Sequence, residues 1–132
     1  MRMKLLALPT LAAALTIGAP AKAEGEVALV QQHIDAYRAK NMDAFLATFA
    51  PDAVLTYEGM VFRGRQQIAQ AFALNFAPDA PRMYIVDSGS DGRVVYMQSG
   101  YVFGDGTDIC CGYSEYRVEG GQIVSLTVSG PN

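Results

Sequence analysis

The sequence predicts one α+β domain in which helices come first and an antiparallel sheet follows. Three observations lead to this class. Apolar residues recur at helical spacing before position 77, β-branched and aromatic residues fill the runs after Arg82, and glycine-bearing turns separate those runs. Helices that precede a series of strands typically pack together on one face of the sheet.

In the first half of the domain, helical spacing predicts a first helix from Glu26 to Lys40. Asn41 is expected to cap a second, short helix that Pro51 ends. A strand over 52–57 and a third helix over 65–76 come next. The strands predicted after Arg82 are Met83–Ser88, Arg93–Phe103, Thr107–Val118 and Gln122–Ser129.

The first 23 residues are predicted to be a cleaved signal peptide. Two basic residues precede an apolar run from Leu5 to Ile17, and the triplet Ala21-Lys22-Ala23 fits the pattern before a cleavage site. The run is shorter than the roughly 20 residues that a membrane-spanning helix needs, although a retained anchor is the alternative interpretation. Residues 24–132 are therefore expected to form one exported domain, periplasmic or secreted.

The charge balance excludes partners that need clustered positive charge. The chain has 10 basic and 13 acidic residues, and three of the basic residues lie in the predicted signal peptide. The domain is left with seven basic residues against thirteen acidic ones, a formal charge of −6, and it has no run of lysine or arginine. Neither nucleic acid nor, after signal cleavage, a membrane is an expected partner.

The two cysteines, Cys110 and Cys111, are adjacent in a predicted strand. Because neighbours in a strand point to opposite faces, we expect two free thiols, one buried and one facing outward. A vicinal disulfide that acts as a redox switch is the alternative. Two thiols and one histidine fall short of a metal-ligand set, so neither a metal nor another cofactor is expected.

Two stretches carry a family resemblance. One runs from Asp43 to Ala53 and continues through Gly59 and the segment Phe62–Ile68; the other is the closing strand Gly121–Leu126. They resemble the opening and the last strand of the nuclear-transport-factor-2-like (NTF2-like) superfamily, which includes SnoaL-like domains and ketosteroid isomerase. The resemblance implies a cone-shaped curved sheet that is packed on N-terminal helices and encloses a pocket, commonly in a homodimer. Members include enzymes and non-catalytic modules, so the fold does not decide the function.

Alignment with the ketosteroid isomerase branch places His33, Tyr57 and Ser114 where that family has a tyrosine, a carboxylate base and an aspartate. None of the three keeps the family's residue type. Because tyrosine titrates near 10, ionising Tyr57 at pH 7 costs about 4 kcal/mol. Tyr57 is therefore expected to donate a hydrogen bond rather than to act as a base, and steroid isomerisation by that mechanism is not expected.

His33 is the only histidine and borders the apolar stripe of the first helix. With an unperturbed pKa near 6.5 it could exchange a proton at neutral pH, whereas the structural alternative is a histidine at the edge of the core. Asp35 lies two residues away on another face of the helix, so a His–Asp dyad is not expected. Strand parity puts Cys110, Gly112, Ser114 and Tyr116 together, and we assign that face to the concave side of the sheet.

Three functions follow as hypotheses. The first is an exported SnoaL-like domain that binds a small hydrophobic or amphipathic molecule in an internal pocket. The second is an enzyme of the dehydratase, isomerase or cyclase kind, with His33 as general acid-base and Tyr57 and Ser114 orienting the substrate. The third is a non-catalytic dimeric assembly module. The predicted pocket residues are His33, Tyr37, Tyr57, Phe72, Ser114 and Tyr116.

Overall fold

The computed structural model describes residues 21–130, with side chains from Glu24 onward. Residues 1–20, which hold most of the predicted signal peptide, lie outside this part, so the signal peptide and export stay predictions. Within the described part, no helix has both the length and the apolar character needed to cross a membrane.

Within the described residues 21–130, three α-helices lie in the first half of the domain. They are α1 (Ala21–Arg38), α2 (Met42–Ala47) and α3 (Gly64–Phe72), and α3 continues as a 3₁₀ turn over Ala73–Phe76. Asn41 caps α2 as predicted, because its side-chain oxygen accepts a hydrogen bond from the Ala44 backbone N–H at 3.0 Å.

The second helix ends earlier than the sequence indicates. It stops at Ala47, and Phe49 already pairs with Ile123 in the sheet. Pro51 therefore lies inside the first strand, in the stretch between Phe49 and Val54 where the pairing register shifts. A proline is tolerated there because the interrupted ladder does not need its missing N–H.

The strands of the described part are β1 (Phe49–Tyr57), β2 (Met60–Arg63), β3 (Arg82–Ser90), β4 (Val94–Val102), β5 (Asp108–Glu119) and β6 (Gln122–Ser129). These six strands form one curved, unclosed sheet in the order β2-β1-β6-β5-β4-β3. The pairs β1–β2, β3–β4, β4–β5 and β5–β6 are antiparallel, as predicted, whereas β1 and β6 run parallel. The predicted class, an α+β domain with a curved sheet packed on helices, is confirmed. The parallel pair departs from the predicted antiparallel arrangement, because the first strand lies beside the last one.

The hydrophobic core lies between the helices and one face of the sheet. Arg65 of α3 fixes this packing, since its guanidinium Nε and Nη2 donate to the Phe49 carbonyl oxygen at 3.0 and 2.5 Å. The interaction gives a hydrogen-bond partner to a backbone carbonyl next to the irregular part of β1. The largest fully buried apolar side chains are Phe45, Phe49, Leu55, Ile68, Ile123 and Leu126.

A disulfide joins Cys110 and Cys111, so the expectation of two free thiols was wrong. In the ladder between β4 and β5, Gly112 pairs with Ser99 and Cys110 pairs with Gly100, which leaves Cys111 as the extra residue of a β-bulge. The bulge breaks the alternation on which the prediction relied. Gly112 is buried on the concave face as assigned, whereas Cys110 is exposed, contrary to its assignment to that face.

Candidate functional site

An internal chamber of about 30 Å³ lies between α1 and the concave face of the sheet. This volume suffices for one or two water molecules, each of which needs roughly 10–15 Å³ by the same measure. All of the helices and five of the six strands contribute to its wall. The lining residues are His33, Ile34, Tyr37, Phe45, Tyr57, Phe72, Asn75, Met83, Met97, Tyr101, Ser114, Tyr116, Leu126 and Val128.

A wider cavity of about 200 Å³ adjoins the chamber. We call this cavity the vestibule; it shares Tyr57, Asn75 and Tyr101 with the chamber. Pro81, Phe103 and Ile109 complete its wall. The three shared side chains each carry a polar tip, so hydrogen-bonding groups stand where the two cavities meet.

Among the side chains that the structure describes, from Glu24 to Gly130, the chamber wall contains no carboxylate, ammonium or guanidinium group. Its polar groups are four tyrosine hydroxyls, one imidazole, one amide and one serine hydroxyl. Asn75 Nδ2 donates to the Tyr37 hydroxyl oxygen at 3.1 Å. Burial raises the pKa of Tyr37 to about 12 and also raises the pKa of Tyr57 and of Tyr116, so these three hydroxyls keep their protons at neutral pH.

His33 lies on α1 with only 1% of its surface exposed, and its ring packs on Phe45 with the centroids 4.4 Å apart. Nδ1 of His33 lies 2.9 Å from Thr48 Oγ1, and this hydroxyl is 2.6 Å from the Phe45 carbonyl oxygen. The shorter contact needs the Thr48 proton, because a carbonyl oxygen only accepts. The hydroxyl therefore accepts from His33, so the proton of the neutral ring is on Nδ1 and Nε2 is left as an acceptor.

Burial lowers the pKa of His33 to about 3, so the imidazole is neutral at physiological pH. At pH 7, about four units above this pKa, protonating the ring costs about 5 kcal/mol. The ring is therefore a hydrogen-bond acceptor and a weak base in the unliganded protein. A catalytic role for His33 stays a prediction.

The structure brings all six predicted pocket side chains to one wall. His33, Tyr37, Tyr57, Phe72, Ser114 and Tyr116 all line the chamber. Their part in ligand binding stays a prediction, and so does the catalytic role of His33, Tyr57 and Ser114.

Sequence reasoning missed two polar residues of the wall, Asn75 and Tyr101. Parity along β4 could have identified Tyr101, because Val95, Met97 and Ser99 of the same parity are buried. Asn75 lies in a 3₁₀ turn that was predicted as regular helix, so helical spacing gave no correct direction for its side chain.

Two carboxylates near the site in sequence lie away from the chamber. Glu58 is exposed in the turn after β1, has a positive φ of 50°, and accepts a hydrogen bond from the Gly130 backbone N–H. Asp35 is exposed on α1 and accepts from Gln31 Nε2 at 2.9 Å. Among residues 21–130, no group of three histidine, cysteine or acidic side chains is placed to hold a metal ion.

Solved structures with the same fold have low sequence identity to the chain. An NTF2-like protein of unknown function from Mesorhizobium loti is 20% identical over 84% of this chain and 94% of its own, with a TM-score of 0.74. A "putative ketosteroid isomerase" from Kribbella flavida is 18% identical over 84% and 81%, with a TM-score of 0.74. A "putative polyketide cyclase" from Sinorhizobium meliloti is 21% identical over 86% and 97%, with a TM-score of 0.68. At these identities the likeness shows the fold alone.

The sequence itself matches a family model. The model of the SnoaL-like domain covers residues 30–126, more than half of the chain. None of the curated proteins matches the chain. The matched range includes every residue that lines the chamber except Val128. The chain thus belongs to the family of SnoaL-like domains and has their NTF2-like fold.

Proposed function

We propose that this domain binds a small, uncharged, mostly apolar molecule that carries one or two oxygen atoms. The observation that supports the proposal is the chamber wall, which combines hydroxyl, amide and imidazole groups with no charged side chain. A charged ligand placed there would lose its hydration without gaining a counter-charge. A carbonyl or hydroxyl oxygen, by contrast, finds donors in the tyrosines and an acceptor in His33 Nε2.

The two volumes limit the size of this ligand. A cavity of about 150 Å³ holds one benzene ring, so the vestibule of about 200 Å³ accommodates one six-membered ring with a substituent. The chamber of about 30 Å³ takes only the oxygen end. A molecule with four fused rings exceeds both spaces, which argues against a steroid ligand.

An enzyme is the second candidate. Two structural neighbours are named as an isomerase and a cyclase. His33, Tyr57 and Ser114 line the same chamber, so one substrate could contact all three side chains. In this version His33 takes up a proton, and the energetic cost of protonating it must be offset by negative charge that develops on the substrate.

Export and assembly as a homodimer are parts of the same proposal. Tyr96 and Tyr113 lie diagonally across β4 and β5, and each exposes about 40% of its surface (38% and 40%). Exposed tyrosines of this kind suit a contact between two copies of the chain. Sedimentation velocity of residues 24–132 tests this part, since a monomer at all concentrations would contradict it.

Calorimetric titration with cyclohexanol tests the ligand proposal. We expect saturable binding of cyclohexanol and weaker binding of methylcyclohexane, which has the ring without the oxygen. The double variant Tyr57→Phe/Tyr101→Phe should weaken cyclohexanol binding about tenfold, because each hydrogen bond contributes about 0.5–1.5 kcal/mol.

The matched control is Tyr96→Phe/Tyr113→Phe, which removes two hydroxyls from exposed positions outside the chamber and should leave the affinity unchanged. Absence of saturable binding, or an equal loss in both double variants, would contradict the proposal. NMR detection of a chemically altered ligand after incubation would favour the enzyme.

A further inference from the structure

A cleft of about 360 Å³ lies where the end of α1 meets the start of β3. It adjoins the two cavities described above, because it shares Tyr37 and Met83 with the chamber and Pro81 with the vestibule. We call it the basic cleft. Of the six residues in the described part of the chain that line it, three are basic and none is acidic. The lining residues are Tyr37, Arg38, Lys40, Pro81, Arg82 and Met83.

This concentration of positive charge contrasts with the rest of the domain. After residue 23 the chain has seven basic residues and thirteen acidic ones, and three of the seven line this one cleft. Folding brings Arg82 to Arg38 and Lys40 although more than 40 residues separate them in sequence. A cleft lined by one sign of charge focuses the electrostatic potential and attracts ions of the opposite sign.

Lys40 is held in an unusual backbone conformation. Its φ is 55°, in the left-handed region that glycine normally occupies after a helix. Its ammonium Nζ donates to the Asn75 carbonyl oxygen at 3.4 Å, a long hydrogen bond. An ammonium group has three donors, so two remain for a ligand.

A structural explanation accounts for only part of the cluster. Arg38 and Lys40 lie at the C-terminal end of α1, where cations interact favourably with the helix dipole. Arg82 belongs to β3, so this explanation does not include it. Cations that converge from two different elements on one cavity are better explained by a shared anionic ligand.

We propose that the basic cleft binds the head group of a small amphipathic anion. The head group is a carboxylate, sulfate or phosphate, which the planar guanidinium groups of Arg38 and Arg82 can contact through paired hydrogen bonds. The apolar part of the ligand packs on Pro81, Met83 and the Tyr37 ring. The volume of about 360 Å³ lies within the roughly 300–1,000 Å³ of small-molecule sites. This site goes beyond the uncharged chamber and does not depend on a ligand there.

Calorimetric titration with octanoate tests the proposal. We expect saturable binding that weakens severalfold as added sodium chloride screens the three cations. The triple variant Arg38→Gln/Lys40→Gln/Arg82→Gln should lose affinity by at least about tenfold, while its affinity for uncharged 1-octanol stays that of the wild type. The control Arg93→Gln/Arg117→Gln removes two exposed cations elsewhere and should bind octanoate normally.

Lys40→Gly is a second, milder variant. Glycine suits the positive φ at this position, so the variant is expected to fold at least as stably as the wild type while binding octanoate more weakly. Octyl sulfate that binds as well as octanoate would support a site for anions in general, and octanoate alone would support a carboxylate site.

Equal octanoate affinity in the wild type and the triple variant would overturn the proposal. Loss of octanoate binding in Tyr57→Phe/Tyr101→Phe together with its retention in the triple variant would place the ligand in the chamber instead and also refute the cleft. Failure of cyclohexanol to bind while octanoate binds in the predicted way would refute the chamber proposal alone.

Discussion

Acidification from pH 8 to pH 5 protonates His33 in the unfolded chain but not in the folded domain. Burial lowers the folded pKa of this group from 6.5 to about 3. Above pH 6.5 the ring is neutral in both states, and its contribution to stability is fully present. As the pH falls from 6.5 towards 3, only the unfolded state gains the proton, so the free energy of unfolding decreases.

The size of this effect follows from how far the pH lies below the unfolded-state pKa of 6.5. Each unit below 6.5 costs about 1.4 kcal/mol, so pH 5 lowers the free energy of unfolding by about 2 kcal/mol. Because pH 5 is above the folded pKa, this loss hardly depends on how low the folded pKa is. His33 is the only histidine, so no other side chain of this type contributes. Backbone N–H groups lower the pKa of Asp91 and of Asp105, so these carboxyl groups affect stability only in more acidic solution.

Urea unfolding at pH 8, 7, 6 and 5 measures the effect. The matched variant is His33→Asn, whose amide can still donate to Thr48 but does not titrate. It should be less stable at every pH, because the smaller side chain leaves a cavity, yet lose little between pH 8 and pH 5. A wild-type loss below about 0.5 kcal/mol, or an equal pH dependence in His33→Asn, would refute the burial argument.

Three further predictions concern stability and are checked by urea unfolding at pH 8. Thr48→Val leaves the buried N–H of His33 without an acceptor and should lower the free energy of unfolding by about 2 kcal/mol. Thr48→Ser keeps the hydroxyl and should lose much less stability; equal losses in the two variants would contradict the hydrogen bond. Arg65→Gln removes the paired donors to the Phe49 carbonyl and should lower the free energy of unfolding by about 1–2 kcal/mol. An unchanged free energy of unfolding would contradict this prediction and show that water replaces the two donors. Reduction of the Cys110–Cys111 disulfide should cost only about 1 kcal/mol, since neighbours close the smallest loop; a loss above about 3 kcal/mol would contradict this estimate.

Local patterns were sufficient to predict most of the elements and the wall of the chamber. Alternation along β5 correctly placed Gly112, Ser114 and Tyr116 on the buried face, because the strand is regular from Gly112 to Arg117. The same alternation failed at Cys110, where the bulge inserts an extra residue. A bulge depends on how two strands pair, which is not visible in one strand's own sequence.

Interactions between distant residues could not be predicted. Helical spacing put His33 at the border of the apolar stripe, but its state depends on Thr48, fifteen residues later. The parallel pairing of β1 with β6 and the convergence of Arg38 with Arg82 likewise arise only when the chain folds. The acidic balance and the absence of a lysine or arginine run gave no sign of clustered positive charge, whereas the fold brings three cations to one cleft.

We propose that the chamber is a neutral hydrogen-bonding site in which His33 Nε2 accepts a hydrogen bond from a ligand. Long-range ¹H–¹⁵N NMR correlation of the single histidine at pH 7, with and without saturating cyclohexanol, tests it most directly. We predict a neutral ring with its proton on Nδ1, and a change confined mainly to Nε2 when cyclohexanol is added. A ring that carries its proton on Nε2, or is protonated on both nitrogens, would contradict the claim, as would a ring unaffected by the bound alcohol.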